Sequence, residues 1–247
     1  MAARARRILI LGGTAEGRAL ASLLSAVPGV TAISSLAGRT KEPLMPEGET
    51  RSGGFGGVAG LAAYLREKAV DLVADATHPF AARISTNAAT ACAQTGVPYL
   101  RLERPAWEQL DGDDWHKVGD SAAAAAALDS GARVLAAVGG GELDPFLARG
   151  DIFLVARMIE PPQAPVPANC EIVLARPPFA LEEELELMRE KSITVLVAKN
   201  SGGAGYAKLV AARMLKVPVV MIARPPKPAA PMAATAEGMR NLILASR

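Results

Sequence analysis

Arg7-Ile8-Leu9-Ile10-Leu11-Gly12-Gly13-Thr14-Ala15-Glu16-Gly17-Arg18-Ala19-Leu20 runs from a short apolar strand through two glycines into a helix. A strand apolar at every position is buried on both faces, so parallel strands should flank it and helices should cover it above and below. Gly12 and Gly13 let backbone N–H groups approach a ligand closely, and a helix beginning near Glu16 or Gly17 aims its positive end at the same point. The dinucleotide fingerprint places glycines at relative positions 0, 2 and 5. Here those positions are Gly12, Thr14 and Gly17, so the middle glycine is replaced. On these residues alone the turn is either a phosphate cradle or a tight strand-to-helix turn without chemistry.

With 247 residues, half of them hydrophobic, the chain can bury a large core or two smaller ones. Its net charge of +2 gives no molecule-wide field for nucleic acid or an anionic membrane. Attraction for an anion must therefore be local. The two cysteines, Cys92 and Cys170, have no metal-ligand spacing and make no disulfide framework, which fits a reducing cytoplasm. The basic start, Met1 to Arg7, resembles a signal n-region, but the apolar run after it stops at Gly12, too soon for export. No segment reaches the ~18 to 20 apolar residues of a membrane span.

After the first helix, Val30 to Ser35 reads as a second strand feeding Leu36-Ala37-Gly38-Arg39-Thr40. An NAD site usually ends this strand in Asp or Glu for the ribose 2′-hydroxyl, whereas an NADP site uses small hydroxyl residues and an arginine. Ser34, Ser35 and Arg39 with no acid favour NADP if a dinucleotide binds; otherwise Arg39 is a solvated loop residue. A short strand near Glu49 to Ser52 leads into Gly53-Gly54-Phe55-Gly56-Gly57, whose glycines suit close approach of a ligand better than a plain connector. Val70 to Asp75 is the next strand and opens into Ala76-Thr77-His78-Pro79-Phe80-Ala81, with Pro79 in the first turn of a helix. Val97 to Arg101 is the fifth strand.

Leu102 to Asp114 lacks a regular pattern and marks the crossing to a second β/α series. The expected division is a cofactor-binding lobe over 1–104, a linker over 105–114 and a substrate-binding lobe over 115–247. In the second series Arg133 to Val138 enters Gly139-Gly140-Gly141-Glu142, and Thr194 to Ala198 enters Lys199-Asn200-Ser201-Gly202-Gly203. The acidic run Glu182 to Glu186 reads as a solvated helix face, Val217 to Ile222 as the last strand, and Pro225 to Pro231 as a rigid connector to a closing helix. Glycine and polar clusters thus fall where strands end and helices begin, the ligand edge of open parallel sheets.

Seven strings in order are similar to the precorrin-6A reductase family of cobalamin biosynthesis: GGTAEGRALA (Gly12 to Ala21), SSLAGR (Ser34 to Arg39), GGFGG (Gly53 to Gly57), DATHPFA (Asp75 to Ala81), YLRLERPAW (Tyr99 to Trp107), KNSGG (Lys199 to Gly203) and VPVVMIARP (Val217 to Pro225). The resemblance spans nearly the whole chain. It implies an α/β fold of two Rossmann-like lobes with parallel sheets and a cleft between them. It also implies NADPH as cofactor and reduction of one carbon–carbon double bond of the precorrin-6A macrocycle to give precorrin-6B. The cofactor-binding candidates are then Gly12, Gly13, Thr14, Glu16, Ser34, Ser35, Arg39, Gly54, Gly56 and Thr77.

Hydride transfer needs neither a metal nor a covalent nucleophile, in keeping with two histidines and two cysteines. A tetrapyrrole acid carries many carboxylates, which arginine grips in bidentate fashion. Arg83, Arg101, Arg104 and Arg157 lie near strand or helix ends, although Arg83 also reads as a solvated helix residue and Arg157 as a structural ion pair. Arg83, Arg104, Gly140, Ser201, Gly202 and Gly203 are the substrate-binding candidates. His78 and Lys199 can carry the proton that accompanies hydride, and Asp75 either holds a neighbour in place or caps a helix. Alternatives that the sequence leaves standing are the cobalt-containing substrate of the anaerobic route, another NADPH-linked reductase of a large anionic substrate, and a non-enzymatic NADPH-sensing module. The oligomeric state is not legible.

Overall fold

The computed structural model describes residues 4–38, 44–162 and 164–246. The chain divides into two compact units, one made of Met1–Pro105 with Pro226–Arg247 and the other of Ala106–Pro225. The first unit runs β1 (Arg6–Leu11), α1 (Ala15–Ser25), β2 (Val30–Leu36), β3 (Glu49–Ser52), α2 (Gly57–Glu67), β4 (Leu72–Asp75), α3 (Ala82–Thr95) and β5 (Tyr99–Leu102). The second runs β6 (Trp115–Val118), α4 (Ser121–Ala126), β7 (Arg133–Ala137), α5 (Asp144–Leu147), β8 (Phe153–Met158), β9 (Cys170–Leu174), α6 (Leu181–Glu190), β10 (Val195–Lys199), α7 (Ala207–Leu215) and β11 (Val219–Ile222). The chain then returns to the first unit as β12 (Met232–Ala233) and α8 (Ala236–Ala245).

Every strand pairing in both sheets is parallel. Alternating side chains of β1 serve the two faces: Ile8 and Ile10 pack with Leu20, Leu24, Met239 and Ile243 of α1 and α8, while Leu9 and Leu11 pack with Leu61, Leu65, Ala88 and Cys92 of α2 and α3. That double burial is why the strand is apolar throughout. In the second unit Leu135, Leu196 and Met221 pack against Met188 of α6 and Leu209 of α7. Among the described residues no helix is long and apolar enough to cross a membrane.

The first sheet has the order β3-β2-β1-β4-β5-β12, the 3-2-1-4-5-6 arrangement of dinucleotide-binding folds. The second has β9-β8-β7-β10-β11-β6, the same arrangement with β7 as its first strand and β6 in sixth place. Strand order reverses between β1 and β4 in one sheet and between β7 and β10 in the other. Ligands of such sheets bind at the carboxyl ends of those strands.

Four expectations change. The closing segment, read as part of a second lobe over 115–247, completes the first sheet, because Arg101 N–H donates to Pro231 O (3.0 Å) and Glu103 N–H to Ala233 O (3.0 Å). The crossing falls at Pro105–Ala106 and again at Pro225–Pro226, not across a linker of 105–114. Pro79 precedes α3 instead of opening it: Ala81 N–H donates to His78 O (2.8 Å), making a separate turn before the helix starts at Ala82. The acidic face of α6 is solvated except at Glu184, which is 2 % exposed.

Candidate active site

Thr14 explains how the turn works without the middle glycine. Its hydroxyl accepts from Gly17 N–H (3.0 Å), capping α1, and donates to Ala76 O (2.7 Å), tying the loop after β1 to the loop after β4 at the reversal point of the sheet. Gly17 lets α1 sit this close: a Cβ there would lie 3.3 Å from Ala76 Cβ and from Thr14 Oγ1. Gly13 has φ +105°, and a Cβ on it would meet nothing within 4 Å, so the backbone faces open space in a conformation that other residues resist. An exposed turn at a helix N-terminus beside the reversal point fits the pyrophosphate of a nicotinamide dinucleotide.

Beside this turn, β2 ends in Ser34 and Ser35, both buried, and the buried Ser34 Oγ has no hydrogen-bond partner among the described residues. Ser35 Oγ accepts from Arg51 Nη1 at 2.7 Å. Arg51 also donates to Gly53 O (2.9 Å) and Gly54 O (3.1 Å) and stacks over the Phe55 ring at 3.8 Å, so it shapes the glycine loop containing Gly54 and Gly56. Arg39, the sequence-derived reader of the ribose, lies outside the described residues.

The loop after β4 is organised by Asp75. Its Oδ1 accepts from Thr77 N–H (3.0 Å) and Thr77 Oγ1 (2.6 Å), and its Oδ2 accepts from Tyr99 OH (2.6 Å). Burial, chiefly, and then the neighbouring Asp75 charge push the Tyr99 phenol up, so it stays a donor. Asp75 is 2 % exposed and is a holder of this loop, not a helix cap. His78 Nδ1 accepts from Phe80 N–H at 3.2 Å, which places the proton of the neutral imidazole on Nε2. Sequence reading missed Lys227. Its side chain is 4 % exposed, and its ammonium donates to His78 O (3.1 Å) and Thr77 Oγ1 (3.3 Å), with Glu103 Oε2 at 3.6 Å; burial pushes its pKa down. The one available signal was a lone lysine in the proline-rich run Arg224 to Pro231, where a solvated connector has no need of a buried charge.

Three of the arginines considered for substrate carboxylates are engaged within the protein. Arg104 Nη1 pairs with Glu16 Oε2 at 2.8 Å, joining a substrate candidate to a cofactor candidate. Arg101 pairs with Glu103 and donates to Pro228 O (3.0 Å), anchoring the returning segment. Arg157, at the end of β8, makes a bidentate pair with Glu184 (2.8 and 3.0 Å), with side chains 8 % and 2 % exposed. Arg157 is thus the structural ion pair. Arg83 is exposed in the first turn of α3.

In the second unit the equivalent reversal point carries its own cluster. Lys199 Nζ meets Glu142 Oε1 at 2.5 Å, and Ser121 Oγ donates to Glu142 Oε2 at 2.7 Å, linking the loops after β10, β7 and β6. A Cβ on Gly140 would lie 2.6 Å from Met158 Cε, the flexible end of a side chain that can move aside. The loop holding Ser201, Gly202 and Gly203 is pinned from both sides. Asn200 exchanges two hydrogen bonds with the Trp107 backbone (2.7 and 3.0 Å), and Arg224 donates to Asn200 O (2.8 Å) and Ser201 O (3.1 Å).

The sequence from residue 7 to 243 matches the family described as Precorrin-6x reductase CbiJ/CobK. A precorrin-6A reductase of Rhodococcus erythropolis is 50 % identical over 226 residues, covering 91 % of each chain. Another of Rhodobacter capsulatus is 49 % identical over 240 residues, covering 96 % of this chain and 95 % of that one. A solved structure of CobK precorrin-6A reductase, 46 % identical, superposes with a TM-score of 0.91 over 97 % of this chain and 96 % of that one. Fold, strand-end loops and sequence agree that this chain belongs to the precorrin-6x reductase CbiJ/CobK family, whose members are oxidoreductases acting on carbon–carbon double bonds in cobalamin biosynthesis.

Proposed function

We propose that NADPH is the reductant with which this chain converts precorrin-6A, the substrate named for its relatives, to precorrin-6B. The observation that carries the cofactor reading is the acid-free end of β2, with Ser34, Ser35 and Arg51, beside the open turn at Gly13. When bound, NADPH supplies the hydride. The backbone of Gly12 and Gly13 and the N-terminus of α1 hold the pyrophosphate, with Thr14 fixing their geometry and Glu16 at the start of the helix. Ser34, Ser35 and Arg39, with Gly54 and Gly56 in the neighbouring loop, take the adenosine end, and Thr77 borders the nicotinamide end.

Reduction adds hydride to one carbon and a proton to its neighbour, two hydrogens in all. Within the first unit His78 is proposed to polarise the substrate through its Nε2–H or, as the imidazolium, to donate the proton, with Asp75 and Thr77 holding its loop in place. Within the second, Glu142 orients Lys199 through their ion pair, and Lys199 with Ser201, Gly202 and Gly203 offers an anion-binding loop for substrate carboxylates. Arg83 and Arg104 offer further cationic contacts.

Pure protein mixed with NADPH and cobalt-free precorrin-6A tests the reading. NADPH absorbance should fall with appearance of a product two hydrogens heavier. Turnover only of the cobalt-containing macrocycle would move the chain to the anaerobic route, and NADPH binding without turnover of either would leave a sensing module.

A further inference from the structure

Arg51 carries a charge whose placement its fold alone does not require. Parallel pairing puts Ser35 of β2 opposite Arg51 of β3, so both side chains leave the same face at the carboxyl end of their strands. The guanidinium is fixed in position by Ser35 Oγ, by the carbonyls of Gly53 and Gly54, and by the Phe55 ring, with Tyr64 5.3 Å away. Among the described residues no carboxylate pairs with it, and its Nε–H and one Nη2–H have no acceptor. Ser35 Oγ is occupied as an acceptor, so its own proton points elsewhere, and the buried Ser34 Oγ has no partner at all among the described residues. Among the described residues this corner is rich in donors, positively charged and without an acid. A ribose 2′-hydroxyl of NADH prefers an acidic acceptor at this strand end, whereas a 2′-phosphate needs donors and positive charge.

We infer that Arg51, with Ser35, reads the 2′-phosphate of NADPH and so sets cofactor specificity. The inference rests on the reading that the first unit binds a nicotinamide dinucleotide, and it assigns the discriminating charge to β3 in addition to the loop after β2. An arginine held over an aromatic ring presents its fork to phosphate oxygens with little rotamer freedom left to lose.

Equilibrium binding decides it without turnover. NADPH, NADH, adenosine 2′,5′-bisphosphate and AMP are titrated against the unaltered protein, Arg51→Met, Arg51→Lys, Ser35→Ala and Arg39→Ala, with circular dichroism to establish folding. Arg51→Met should weaken NADPH and the bisphosphate about ten- to a hundredfold, the range for a charge-assisted phosphate contact, and change NADH and AMP less than about twofold. Arg51→Lys should fall between, keeping the charge but losing the fork, and Ser35→Ala should weaken only NADPH and the bisphosphate, the two ligands with a 2′-phosphate. Equal losses for NADPH and NADH in Arg51→Met would reduce Arg51 to a clamp on the glycine loop and overturn the inference. An unchanged preference in Arg51→Met, with the whole preference lost in Arg39→Ala, would overturn it too. Equal NADPH and NADH affinities in the unaltered protein would instead refute the underlying NADPH reading.

Discussion

Replacing Thr14 by valine keeps the shape of the side chain and deletes both of its hydrogen bonds. The lost cap on Gly17 N–H is worth about 1 kcal/mol, within a range of roughly 0.5–2. The lost bond to Ala76 O adds about another 1–2 kcal/mol, because that carbonyl belongs to a residue only 1 % exposed. The sum is a destabilisation of about 2–3 kcal/mol. Thr14→Ser keeps both bonds and removes one methyl, for less than about 1 kcal/mol. Urea unfolding should be followed by far-UV circular dichroism, because both tryptophans, Trp107 and Trp115, lie in the second unit and are blind to the change. NADPH affinity should fall in the valine variant and persist in the serine variant, since the same hydroxyl sets the turn proposed to hold the pyrophosphate. If valine and serine variants unfold within about 0.5 kcal/mol of each other, the hydroxyl is not what joins the two loops, and the account of the missing glycine fails.

His78→Ala and Lys199→Ala should each lower turnover by about ten- to a thousandfold while NADPH affinity stays within about twofold, measured by steady-state kinetics beside equilibrium titration; loss of NADPH binding would move those residues to the cofactor. Arg157→Leu or Glu184→Leu alone should destabilise by about 3–5 kcal/mol by stranding a buried charge, and the double variant by less than either, read by tryptophan fluorescence in urea; additive losses would show that the pair is not coupled. Burial holds the Lys227 pKa below the ordinary 10.5, so on raising the pH the folded protein releases this proton before the unfolded chain does. The unfolded state then binds more protons in the window below 10.5, and the stability of the unaltered protein relative to Lys227→Met should rise with pH there. A flat or falling difference in paired denaturation curves would contradict that sign.

What could be read from the sequence followed from local chemistry. The apolar run Ile8 to Leu11 ending in glycines announces a strand buried on both faces, and the alanine-rich run after Asp120 and Ser121 announces a helix capped by one of the two; in α4 the cap is Asp120, with Oδ1 accepting from Ala123 N–H at 2.8 Å. The strand-end loops that gather the candidate residues were legible for the same reason. Features that depend on partners far along the chain were not. β12 has two residues and therefore no periodicity; only β5, more than a hundred positions earlier, makes it a strand. Arg51 in Glu49-Thr50-Arg51-Ser52 looks like any edge-strand arginine until pairing sets it opposite Ser35. Glu184 sits among acids that face water, and its burial depends on Arg157.

The return of the chain to its first sheet bears on the order in which the protein matures during synthesis. The second unit is one continuous stretch, Ala106–Pro225, whose six strands have all left the ribosome before any residue of β12 or α8. The first unit is then still short of its sixth strand and of Met239 and Ile243, both wholly buried against α1 in the finished fold. Arg6 donates to Ile243 O (2.5 Å) and Ser246 O (2.5 Å), which follow it by 237 and 240 positions. Translation thus delivers the second sheet complete and leaves the first sheet with an open edge and an uncovered apolar face. Although domains generally fold in order from the N-terminus as they emerge, here the second unit to emerge is the first whose strands are all present, and the turn at Gly12 and Gly13 acquires its full support only once β12 and α8 have followed.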